Sequence, residues 1–99
     1  MLLIDKNIPQ LKTLCQNHKV EKLYLFGSAT NENFNEQSDI DFLVSFNKIE
    51  LAKYFENYCS FKEKLKNLFN REIDLVEEQT LKNPILINSI NKNKELIYG

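Results

Sequence analysis

A chain of 99 residues has room for one domain with one small core, burying roughly 60–68% of the surface its unfolded form exposes. Hydrophobic residues make up 42% and charged residues 27%, an ordinary balance for a soluble globular protein, and no apolar run approaches the ~20 residues that span a bilayer. Thirteen Lys and Arg against fourteen Asp and Glu leave a net charge of −1, which disfavours a generally basic, nucleic-acid-binding surface.

The Met1-Leu2-Leu3-Ile4 start runs at once into Asp5 and Lys6 and is too short for a signal-peptide core. Ile8, Leu11, Leu14, Cys15 and His18 follow helical spacing, and Pro9 suits a first turn, so a helix is predicted over 8–18. Leu23-Tyr24-Leu25-Phe26 reads as a strand that leaves into a turn at Gly27. Residues 29–38 are polar and loop-like. From Asp39 to Phe46 the chain alternates, with Ile40, Phe42, Val44 and Phe46 on one face and Asp39, Asp41, Leu43 and Ser45 on the other. A long helix follows, its inner stripe formed by Leu51, Tyr54, Phe55, Tyr58, Cys59, Phe61, Leu65, Leu68 and Phe69. Glu72 to Glu77 alternates again, with Ile73 and Leu75 opposite Asp74 and Val76. Pro84 starts a last helix over 84–93, with Ile87, Ile90 and Leu86 turned inward. Neither a repeat nor a linker interrupts this order, so residues 1–99 read as one α/β (α+β) domain. Its expected architecture is a mixed three- to four-stranded sheet with helices packed mainly on one side.

Three aspartates stand among strong β-formers: Asp39 and Asp41 in Ser-Asp-Ile-Asp-Phe-Leu-Val, and Asp74 in Arg-Glu-Ile-Asp-Leu-Val. Asp is depleted in strands, so each placement needs a reason. A spacing of two puts Asp39 and Asp41 on one face, about 6.6 Å apart along the strand. Like charges that close are unfavourable unless a cation or a proton sits between them. Oxygen-only ligands suit Mg²⁺, and a pair of such ions ~3.5–4 Å apart serves in-line phosphoryl displacement. The plainer reading, aspartates alternating out to solvent, covers a lone Asp-x-Asp. It does not explain a third Asp in similar context, nor the turn upstream. There, Gly27 lets backbone approach a ligand closely, and N–H groups of a following helical turn together with the Ser28 hydroxyl make an anion site.

Gly27-Ser28, ten residues, Asp39-Ile40-Asp41 and a later strand Asp74 resemble the nucleotidyltransferase superfamily of DNA polymerase β type, and within it the minimal nucleotidyltransferase (MNT) branch. The resemblance spans nearly the whole chain. It implies that Gly27 and Ser28 hold a nucleoside triphosphate, that Asp39, Asp41 and Asp74 ligate Mg²⁺ as two ions, and that Asp74 acts as, or near, the base for the incoming hydroxyl. The implied reaction moves a nucleoside monophosphate, AMP from ATP, onto a hydroxyl and releases pyrophosphate. The implied acceptor is a tyrosine of a partner HEPN ribonuclease toxin, making this chain the antitoxin of a type VII-like toxin–antitoxin pair in the cytoplasm. Many members of the family carry Arg-Gly a few residues after Gly-Ser, where this chain has Asn31-Glu32, which removes a phosphate contact or an ion pair. That departure motivates an alternative, a non-catalytic antitoxin that neutralises its partner by binding alone. A metal-dependent glycosyl-transfer enzyme is a third reading, but it calls for a larger sugar-nucleotide domain and leaves Gly27-Ser28 and Asp74 unexplained. The sequence leaves open whether the chain forms a homo- or hetero-oligomer.

Other residues have plainer expectations. His18 is assigned to packing or to the helix C-terminus. Cys15 and Cys59 form no Cys-x-x-Cys pair and read as buried thiols in a reducing compartment. Lys48, Lys53, Lys62, Lys64 and Lys66 form a solvated face, and Tyr54, Phe55, Tyr58 and Phe61 are assigned to the core. Glu72, Glu77 and Glu78 flank the third strand, with Glu77 a distant candidate for the metal site. Ser38 is placed to orient Asp39.

Overall fold

In the structure, a computed structural model, residues 2–27 and 38–99 are described. Strands form where branched and aromatic residues alternate: β1 at Val20–Phe26, β2 at Ile40–Phe46, β3 at Ile73–Glu77 and β4 at Glu95–Tyr98. They make one four-stranded sheet in the order β3-β2-β1-β4. β1 is antiparallel to both β2 and β4, while β2 and β3 are parallel. The parallel pair requires a crossover between β2 and β3, and the chain supplies it with the helix α3 at Leu51–Phe69. Helices α1 (Leu2–Lys6) and α2 (Ile8–Asn17) precede the sheet, and α4 (Pro84–Asn93) follows a short 3-10 turn at Glu78–Thr80.

Local chemistry sets these boundaries. Pro9 lies in the first turn of α2, where its missing N–H costs nothing. Asn70 ends α3 in the left-handed conformation, φ 53 and ψ 44, which Asn tolerates better than most residues. Asn83 caps α4, its side-chain oxygen accepting from the backbone N–H groups of Ile85 at 2.9 Å and Leu86 at 3.4 Å.

Period-two alternation decides which side of the sheet is buried. Ile40, Phe42, Val44, Ile73, Leu75, Leu23 and Leu25 form one cluster with Leu11 and Cys15 of α2 and Phe61, Leu65 and Phe69 of α3. Ile4 of α1 joins the same cluster. On the other face Leu43 is also buried. It lines a cavity of about 190 Å³ with Glu78, Leu81, Ile87 and Asn91, so the segment around α4 covers that side of β2. Helices α2 and α3 thus share one face of the sheet, and α4 closes part of the other.

The predicted helices and strands are present with small shifts, and α4 has the predicted bounds. Two elements were not expected: α1, too short for periodicity to register, and β4, whose four residues gain their conformation by pairing with β1. Three packing expectations are corrected. Leu51 and Phe55 are 91% and 75% exposed; Phe55 shares the solvent side of α3 with exposed Cys59 and Lys62, while its neighbour Tyr54 meets the sheet at Phe46 and Glu77. Cys59 is exposed, unlike buried Cys15. Leu86 is exposed on the outer side of α4, while Ile90 is buried. The expected 29–38 loop lies outside the described residues except for Ser38, as do Ser28 and Asn31-Glu32. No helix among the described residues is long and apolar enough to cross a membrane.

Candidate functional site

Strand register brings distant carboxylates together. In the parallel pairing of β2 and β3, Ile40 lies opposite Ile73, Asp41 opposite Asp74 and Phe42 opposite Leu75. Because the isoleucines and Phe42–Leu75 face the core, Asp41 and Asp74 share the outer face as direct neighbours, about 4.8 Å apart by strand spacing. Asp41 is half-buried and Asp74 exposed. Two like charges side by side destabilise a sheet when nothing neutralises them.

β1 contributes the third edge of this corner. Phe26 is opposite Asp41 in the antiparallel pairing, and Gly27 follows with φ +71. A side chain at Gly27 is disfavoured twice over. The left-handed backbone suits glycine, and a Cβ would collide with Asp41 Oδ2. Glycine therefore lets the end of β1 lie directly against the Asp41 carboxylate.

Asp39 is exposed and sits just ahead of β2. The peptide groups on both of its sides are tied to the entry of β3. The Ile40 N–H donates to the Glu72 carbonyl at 3.1 Å, and Arg71 Nη1 donates to the Ser38 carbonyl at 3.1 Å. The predicted carboxylates, Asp39, Asp41 and Asp74, thus lie on neighbouring segments at one end of the sheet. Among the described residues, no three His, Cys, Asp or Glu side chains converge tightly enough to hold a metal ion by themselves.

Several other residues resolve into structural roles. Glu77 falls on the helix-covered face of β3, opposite in parity to Asp74, and accepts a hydrogen bond from the Tyr54 hydroxyl. It thus lies on the face opposite the Asp41–Asp74 pair. Gln79 Nε2 donates to the same hydroxyl at 2.8 Å. Burial, followed by the bond to Glu77, pushes the Tyr54 phenol up to about 12. Tyr58 donates to the Leu75 carbonyl at 2.5 Å, beside Asp74 in the chain. His18 caps α2, as expected: Nδ1 lies 2.8 Å from the Leu14 carbonyl, and Nε2 lies 3.0 Å from Ser60 Oγ on α3. Lys53, Lys62, Lys64 and Lys66 are exposed on α3, and Lys48 is exposed ahead of it. Arg71 stands out in the sequence only as the single arginine of the chain, which by itself reads as compositional bias.

Comparison with known proteins shows the family and the fold. The profile of the family described as "Polymerase beta, Nucleotidyltransferase" matches residues 9–99. Two Methanocaldococcus jannaschii proteins, each bearing the name "Putative protein adenylyltransferase", are 32% and 35% identical; the matches cover 88% of this chain and 84% of each relative. A solved minimal nucleotidyltransferase superposes with a TM-score of 0.75 at 24% identity, covering 92% of this chain and 89% of that one. A chain from the complex of a tri-AMPylated Shewanella oneidensis HEPN toxin with its MNT antitoxin gives a TM-score of 0.66 at 19% identity, covering 97% and 72%. A toxin–antitoxin structure with AMP-PNP gives 0.70 at 22%, covering 94% and 73%. At these identities the solved structures establish likeness of fold.

Proposed function

The chain belongs to the polymerase-β-type nucleotidyltransferase family, and from that premise we propose that it is an Mg²⁺-dependent protein adenylyltransferase acting as an antitoxin. It moves AMP from ATP onto a tyrosine hydroxyl of a partner HEPN toxin. The observation that carries this reading is the Asp41–Asp74 pair on one exposed sheet face, with Gly27 packed against it. The names of the relatives support adenylyl transfer to protein. The AMPylated toxin and the AMP-PNP complex, among proteins of the same fold, support the nucleotide and the partner.

The donor set fits a hard divalent cation. All the candidate ligands are carboxylate oxygens, and Mg²⁺ typically takes one or two carboxylates and completes its shell with substrate phosphates and water. Asp41 and Asp74 would hold it, with Asp39 joining them. When bound, Mg²⁺ supplies neutralisation of the triphosphate and polarisation at the α-phosphorus. Gly27 and Ser28 bind the triphosphate through a backbone surface that a side chain at Gly27 would obstruct. The acceptor hydroxyl oxygen bonds to the α-phosphorus as the bond to the pyrophosphate oxygen breaks. Asp74, the more exposed member of the pair, takes the hydroxyl proton.

The test is incubation of the protein with α-labelled ATP, Mg²⁺ and a HEPN protein as acceptor. Label appears on the partner and is lost when its tyrosine is changed to phenylalanine. Transfer that survives Asp39→Ala together with Asp41→Ala refutes the assignment. A second reading, neutralisation by binding alone, is motivated by Asn31-Glu32 standing where many members of the family carry Arg-Gly. Under that reading the double-Asp variant still silences the toxin completely.

A further inference from the structure

Asp39 differs from the other two carboxylates in how its backbone is held. Asp41 and Asp74 lie inside the β2–β3 ladder, whereas Asp39 precedes it. Its φ and ψ rotate the two peptide planes on either side of it. One plane is fixed by the Ile40 N–H to Glu72 carbonyl bond, a main-chain contact that almost any sequence can make. The other is fixed by the Arg71 guanidinium on the Ser38 carbonyl, a contact that depends on a side chain. Like charge on Asp41 and Asp74 disfavours bringing the Asp39 carboxylate to the same corner, and the Arg71 side chain bonded to the Ser38 carbonyl carries a permanent positive charge. Arg71 is half-buried at the entry to β3, so it couples the approach to β2 with the strand that carries Asp74.

We propose that Arg71 is a positioning residue: through the Ser38 carbonyl it holds Asp39 at the corner where Asp41 and Asp74 meet, and so sets the affinity of the site for a divalent cation. The inference rests on reading Asp39 as a metal ligand. Arginine suits the task because its planar fork keeps a fixed direction, whereas a lysine ammonium on a flexible stem holds the carbonyl less rigidly.

The test uses Mn²⁺ as a paramagnetic stand-in for Mg²⁺, titrated into the full chain without nucleotide and followed by the resonance of the free ion. Residues that orient metal ligands typically contribute a factor of roughly 10–100 in affinity. Arg71→Met therefore weakens Mn²⁺ binding by about that factor, and Arg71→Lys falls between it and the wild type. In the transfer assay the Mg²⁺ concentration at half-maximal rate rises by a similar factor, while the rate at saturating Mg²⁺ recovers. Damage that only lowers the folded fraction would reduce the rate without moving that midpoint. Wild-type Mn²⁺ affinity in Arg71→Met overturns the proposal; if that variant does not fold, wild-type affinity in Arg71→Lys does so. Asp39→Ala separates the two levels. If it weakens Mn²⁺ binding and the Arg71 variants do not, only the positioning role falls. If it binds like the wild type, Asp39 is not a ligand, and the reading beneath the proposal falls with it.

Discussion

Replacing Gly27 with alanine probes the corner of the site most directly. The backbone there has φ +71, and holding an L-residue in the left-handed region costs about 1–2 kcal/mol. The new methyl would also meet the Asp41 carboxylate, chiefly Oδ2 with Cγ behind it. Turning that side chain off its rotamer adds about 0.5–1.5 kcal/mol. For a domain of this size each kcal/mol lowers the melting temperature by about 4–8 °C, so Gly27→Ala is expected to melt roughly 6–28 °C below the wild type. Thermal unfolding followed by circular dichroism measures this, and a double-mutant cycle divides it. In an Asp41→Ala background the colliding atoms are gone and only the backbone cost remains. The coupling between the two positions should therefore be about 0.5–1.5 kcal/mol. Equal costs in the two backgrounds would refute the contact between Gly27 and Asp41. A Gly27→Ala protein as stable as the wild type would refute the backbone argument as well.

Other expectations can be checked alongside. Asp74→Asn keeps the size of the side chain but removes the charge and the base, so labelled-ATP transfer falls to the level of the no-enzyme control while the fold persists by circular dichroism. Tyr58→Phe removes one hydroxyl from the Leu75 carbonyl and costs about 0.5–1.5 kcal/mol in a denaturant titration. Alkaline pH destabilises the protein through Cys15, whose thiol burial pushes up from 9.0 to about 12. The unfolded chain loses that proton first, so the contribution is intact below pH 9 and declines from there to about pH 12. Cys15→Val flattens this part of the stability–pH curve. Phe55→Ser, on the solvent side of α3, changes stability by no more than about 0.5 kcal/mol.

Much of the architecture was legible because alternation and helical spacing are local. Ile40, Phe42 and Val44 declared the buried face of β2 before any partner was known, and Asn83-Pro84 marked the start of α4. Burial along α3 was less legible, because spacing shows which residues share a face but not how far that face is covered. Phe55 falls in line with Cys59 and Lys62 on the solvent side of α3, one position from Tyr54, which meets the sheet at Phe46 and Glu77. The three aspartates stood out as misfits within strands. Their relation did not: that Asp41 lies opposite Asp74, and not one step away, is a matter of register between segments far apart in sequence. Arg71 stayed hidden for a similar reason, since its contact with Ser38 spans 33 positions.

β3 is one of the two edge strands of the sheet and five residues long. On one side it rests on β2; α3 secures it through Phe61, Leu65 and the Tyr58 hydroxyl. Short edge strands are among the first parts of a protein to open, at a free energy below that of global unfolding. When β3 detaches, the paired carboxylates separate while β1 and β2 remain joined. The chemistry is thus tied to the stability of one small strand, and activity disappears on warming or in denaturant before the bulk of the sheet comes apart. Hydrogen exchange at the amides of Ile73–Glu77 should track the loss of transfer more closely than the melting of the whole domain does.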